Sequence, residues 1–169
     1  MAISAETIAA LASMPAQFER LYRLVPASYT NWKPQSWEGV PGEMFSALEQ
    51  ACHLRDIEID GYQVRLRRTR QETRPLLASL DGYALAEERR YREADPAQVL
   101  AAFREGRNAT IEQVRHIGDG ELSRPAVFEG YGEITLKALI HLLCSHDQQH
   151  LSCMYWLLGK IDSHRALGA

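Results

Sequence analysis

The segment from Ile134 to Leu158 constrains this chain more than any other. Its apolar side chains, among them Leu136, Leu139, Ile140, Leu143, Leu151, Met154 and Leu157, recur at angles all the way round a helix. A helix that is hydrophobic on every face has to be buried. It must therefore be wrapped by other helices, and the few polar residues it carries must find partners indoors. His146 and His150 are two of those residues.

The rest of the chain supplies the wrapping. Ser4 caps a first helix with Ile8, Leu11 and Ala12 on one face; Met14-Pro15 should kink or restart it, and a second piece runs to about Leu24, before Pro26. From Pro26 to Gly42 three prolines, two glycines, Trp32 and Trp37 predict an ordered loop, since indoles are seldom left in water. A second helix is expected from Pro41–Glu43 to about Thr73, with Gly61 a weak point inside it. Arg65, Arg67, Arg68, Arg70 and Arg74 crowd its end. They can be read as an anion site, but a solvated helix end whose dipole favours cations is the preferred reading. Residues 75–94 give little beyond the turn signal Asp81-Gly82. Asp95-Pro96 opens a third helix that reaches about Ile117, with Gly106 as its cost. The last helix is expected over Glu133–Leu158, with Gly159 as its C-cap. No segment alternates with period two, so the chain reads as all-α: one domain over residues 1–169, built as a four-helix bundle.

Composition narrows the function. At 46% hydrophobic and 24% charged the chain is of ordinary globular make-up, and a net charge of −3 argues against nucleic acid as the main partner. The longest apolar stretch carries Asp147 and histidines, so no membrane span is expected. No Lys or Arg precedes Arg20 and Glu6 interrupts the early apolar run, which does not read as a secretory signal. Cys52, Cys144 and Cys153 lie in apolar helical patterns and read as free buried thiols, hence a cytoplasmic setting.

Four residues apart on a helix is about 400° of rotation, so the rings of His146 and His150 leave one face roughly 6 Å apart and can converge on one ion. His53, mid-helix between Cys52 and Leu54, is the natural third ligand from another helix. His116 and His164 sit at segment ends and read as exposed. His141 lies about 180° from His150 and reads as partly buried or at an interface. Cys153 is a rival fourth ligand, with a packed core thiol as the preferred reading. Three imidazoles leave a coordination position open, as in catalytic rather than structural zinc sites. Glu49 and Asp56 flank His53 at i−4 and i+3 and could accept the free N–H of a ligand histidine, and Gln149 could aim at a bound substrate; ordinary surface contacts are equally open to all three.

The segments Ala51-Cys52-His53-Leu54-Arg55-Asp56 and His146-Asp147-Gln148-Gln149-His150-Leu151, with the tryptophan-bearing loop before the second helix, resemble the motifs of the DinB-like (DinB/YfiT-like) metalloprotein superfamily. The resemblance implies an up-down-down-up four-helix bundle, often a homodimer, with one divalent ion, zinc or nickel, on His53, His146 and His150. It also implies a metal-dependent enzyme such as a small-thiol S-transferase or a related hydrolase, with a low-molecular-weight thiol as partner. The ion's open position is expected at the end of the bundle where Trp32 and Trp37 can wall the pocket. A non-catalytic stress-response bundle stapled by a structural metal is the alternative.

Overall fold

The computed structural model describes residues 2–168, so positions 1 and 169 of the expected domain lie outside it. Helix α1 (Ala5–Leu24) starts at Ser4, whose side chain accepts from the Thr7 amide. It runs unbroken through Pro15, where a restart was expected. The proline removes the N–H that would bond the Leu11 carbonyl. That carbonyl is instead satisfied from outside the helix, by Arg107 Nη1 at 3.0 Å.

The second long helix begins at Ala47, some four residues later than expected. Ser46 and Glu49 form a capping box there, the Ser46 amide donating to Glu49 Oε2 at 2.7 Å. It comprises α2 (Ala47–Asp56), a π-helical turn (Ile57–Tyr62) and α3 (Gln63–Gln71). The π turn widens the helix by one residue and rotates α3 relative to α2, a distortion that often marks functional sites. Gly106 explains how it is accommodated. A Cβ there would lie 3.0 Å from Ile59 and 3.4 Å from Glu58, so the glycine lets the neighbouring helix approach the turn closely.

Helix α4 (Gly82–Glu88) fills part of the uninformative 75–94 stretch, with Asp81 as its cap. Helix α5 (Pro96–Arg115) is capped by Asp95 as expected. Helix α6 (Leu136–Leu167) starts on a Thr135 cap, runs straight past Gly159 and ends at Gly168, whose φ of 65° makes it the C-cap glycine. Helices α1 and α2 each pack on both α5 and α6, which leaves α1 diagonal to α2 across the bundle.

The fold is not purely helical. Strand β1 (Leu76–Leu77) pairs parallel with β2 (Pro125–Phe128), which forms an antiparallel hairpin with β3 (Gly132–Thr135). Strands of two to four residues are too short to display an alternation. The sheet is tied to α3 by Arg124, which donates to the carbonyls of Thr69 and Glu72 at 2.8 and 2.9 Å.

Apolar residues of α6 from Leu136 to Leu143 join one core cluster and those from Leu151 to Ile161 another. Between them lies a buried polar layer. Arg107, 1% exposed, makes a bidentate pair with Asp147 at 2.6 and 2.8 Å and reaches Glu58 at 2.7 Å. Removing the cation from such a cluster strands two buried carboxylates. Arg107→Met should cost about 3–5 kcal/mol of unfolding free energy in denaturant melts. Adding Glu58→Gln and Asp147→Asn to that variant should recover part of the loss.

Candidate metal centre

The three expected ligand histidines come together in the polar layer. His53 is held on α2, His146 and His150 on α6. Ring centroids lie 5.5 Å (His53–His146), 4.8 Å (His53–His150) and 4.4 Å (His146–His150) apart. One ring nitrogen from each lies within 4.8 Å of the others, and among the described residues this is the group so arranged. Donors about 2.1 Å from one ion stand roughly 3–3.5 Å apart, so modest side-chain adjustments suffice.

The chemistry of the donors fits a cation. Burial, then the neighbouring His53 imidazole and the Arg107 and Arg65 charges, hold His146 well below the ordinary imidazole range; burial and the other two rings do the same for His150. Burial also lowers His53, against the pull of Glu43 and Asp56. Neutral imidazoles with free lone pairs are what a metal ligates. His150 Nδ1 lies 2.5 Å from Gln50 Oε1, which accepts from it and turns Nε2 inward as an acceptor. That Nε2 lies 3.1 Å from His146 Nε2. Both nitrogens of His53, which is 3% exposed, lack a hydrogen-bond partner among the described residues. An orphaned buried imidazole is costly unless something absent from the protein completes it.

The supporting residues differ from those expected. Glu49 is spent on the capping box and on Lys33, 2.8 Å away. Asp56 bonds Arg55 and the Tyr91 hydroxyl, each at 2.7 Å, and Arg89 at 3.0 Å. Neither bonds a histidine. Gln50, at i−3 from His53, does that instead, and helix geometry could have found it. Gln149 donates to Glu43 Oε2 at 3.2 Å. Glu43 itself comes from the loop before α2. Its oxygens lie 4.0 Å from Nε2 of both His53 and His150. No periodic signal could place it.

A cavity of about 110 Å³ opens onto His53 and His146, lined also by Glu43, Tyr62, Arg65 and Tyr131. The tryptophans lie elsewhere: Trp37 stacks on Trp156 and Trp32 packs on His164, which is half-buried rather than exposed. His141 is exposed, not partly buried. The cysteines are unpaired; Cys52 and Cys153 are buried, Cys144 partly so. Burial pushes the Cys153 thiol up to about 11.

With the histidines and their surroundings placed, the chain as a whole can be set beside known proteins. The family model described as the DinB superfamily matches residues 10–154. The chain belongs to the DinB superfamily. A solved structure of similar fold is that described as "YfiT from Bacillus subtilis is a probable metal-dependent hydrolase with an unusual four-helix bundle topology". It aligns at 22% identity and a TM-score of 0.79, over 99% of this chain and 91% of that one. At that identity the match speaks to fold. No curated protein matches.

Titration of metal-free protein with zinc or nickel should give one equivalent per chain. Single replacement of His53, His146 or His150 by Ala should remove it, while Cys153→Ser should keep it. Retention of full affinity after any one histidine replacement would exclude the three-imidazole site.

Proposed function

We propose that this chain is a divalent-metal-dependent hydrolase whose ion is held by His53, His146 and His150 and whose proton acceptor is Glu43. The observation that carries the reading is the Glu43 carboxylate. It stands 4.0 Å from two of the inward-facing nitrogens, steadied by Gln149, where the cavity reaches the histidines. A purely structural site has no use for an adjoining cavity with a carboxylate at its floor. A bound divalent ion there supplies Lewis acidity and lowers the pKa of a nucleophile. Zinc and nickel both suit imidazole donors.

Glu43 is placed to take the proton the nucleophile loses, with Gln149 fixing which oxygen is free. Gln50 orients the His150 ring. The loop that carries Glu43 is itself held, since the Met44 amide donates to the Tyr83 hydroxyl at 2.9 Å and Gln50 Nε2 donates to the Glu43 carbonyl at 3.3 Å. Transfer to a low-molecular-weight thiol is the finer reading that the family resemblance supports; the thiol would then be the nucleophile that Glu43 deprotonates. The up-down-down-up helix order, homodimerisation and a cytoplasmic setting rest on the same resemblance and on the free thiols. No described helix is long and apolar enough to cross a membrane.

The test is a panel of activated esters, amides, phosphodiesters and small-thiol transfers with zinc- or nickel-loaded protein. Glu43→Gln should keep the ion at unchanged stoichiometry and lower turnover by about 10²–10⁴-fold. If the loaded protein turns over nothing on the panel, the structural-metal reading replaces this one.

A further inference from the structure

Among the arginines that end the second helix, Arg65 stands apart. Arg68 pairs with Glu72, Arg70 with Glu121 and Arg74 with Glu133. Those three are the solvated helix end that the sequence suggests. Arg65 is only 5% exposed, lines the cavity beside His53 and His146, and has no acidic partner among the described residues. Its Nε and Nη2 donate to one carbonyl, that of Ala78, at 3.1 and 2.9 Å. Its Cζ lies 4.6 Å from the Phe128 ring centre and 5.2 Å from that of Tyr62.

This is an expensive arrangement for a guanidinium. Burying a cation carries a large desolvation cost, which one carbonyl and two ring faces offset without neutralising the charge. The contrast with Arg107, equally buried but met by two carboxylates, is internal to the same molecule. The fold nevertheless makes room for Arg65. A Cβ on Gly61 would lie 2.9 Å from Arg65 Nη1, and the π turn puts a glycine there. With Nε and one proton of Nη2 occupied, the Nη1–Nη2 edge is left unengaged. Two parallel N–H groups on such an edge match a carboxylate bidentately. Tyr62 spans the distance from this cation to the histidines, its ring under the guanidinium and its centre 5.8 Å from that of His146.

We propose that Arg65 is the anchor for a carboxylate on the substrate, seated in the cavity so that the rest of a small organic acid faces the histidines and Glu43. The proposal rests on the hydrolase reading of that site and names its substrate class. A cavity of about 110 Å³ holds three or four waters' worth of ligand, which limits the acid to a few heavy atoms within it. Arg65 is a binding residue here, whereas Glu43 takes the proton.

Binding is measured on metal-free protein, by titrating propionate, its uncharged counterpart propionamide, and inorganic phosphate while following the Arg65 Nε–H resonance and the melting temperature. Propionate should saturate and shift that resonance; propionamide should not. In Arg65→Gln, propionate affinity should fall at least about tenfold, and Arg65→Lys, which keeps the charge but not the fork, should fall between the two. Zinc binding by both variants should match the wild type, which shows that each still folds around the histidines. Three results would each overturn the anchor: no saturation by propionate, equal binding in Arg65→Gln, or phosphate binding more tightly than propionate. Absence of zinc binding in the wild type would instead defeat the metal reading and leave the anion measurement standing.

Discussion

The guanidinium of Arg107 touches every long helix of the bundle. It sits on α5, pairs bidentately with Asp147 of α6, reaches Glu58 in the π turn of the second helix and donates to the Leu11 carbonyl of α1. Each contact answers a deficit that another feature creates. Pro15 strips the Leu11 carbonyl of its helical donor, Asp147 is stranded on a helix segment buried among apolar neighbours, and Glu58 is turned inward by the π turn. Two carboxylates on one cation still leave a surplus of negative charge, and burial pushes the Asp147 carboxyl up to about 6 despite the arginine. A buried cluster of this kind is weak evidence of net stability; what it does is tie four helices together at one level.

That alignment is what builds the metal centre. Asp147 lies between the two histidines of α6 in sequence, so clamping it fixes which way His146 and His150 point. Glu58 lies five residues beyond His53, and clamping it through the π turn fixes the second helix at the same level. The positive charge nearby also disfavours protonation of His146. The imidazoles thus stay neutral for a reason that lies partly outside the ligand set.

How legible all this was depends on the kind of signal each residue leaves. The histidine trio follows from helical angle and burial, which a sequence carries directly. The bundle follows from the apolar run of the last helix. Positions that depend on an unpredictable distortion did not show. Gly61 and Gly106 read as weak points because propensity counts only the cost of a glycine; their use lies in what packs against them, the Arg65 guanidinium in one case and the π turn in the other. Gly159 read as a helix end because a glycine cap is marked by its φ, which the sequence does not state, and Gly168 is the one that adopts it. Pro15 read as a break because the donor that repairs it lies 96 residues from Leu11 along the chain. The three-stranded sheet was invisible because its strands are shorter than a period-two pattern needs.

The small sheet and α4 do for the site what the bundle alone cannot. A closed four-helix bundle would seal a polar layer at its centre from every direction. Here the hairpin carries Phe128 and Tyr131 to one side of the histidines, and the segment leading into α4 brings Ser79 and Leu80. These additions meet each other beside the histidines and leave the cavity between themselves and the bundle. Ser79 is pinned to the hairpin through Glu129, whose carboxylate accepts from its amide at 2.9 Å, and the Ala78 carbonyl is drawn to Arg65. The residue that lines the cavity with positive charge is therefore also one that holds its wall. The cavity's shape and its charge are set by the same contacts, and an anion taken up beside Arg65 would act on both.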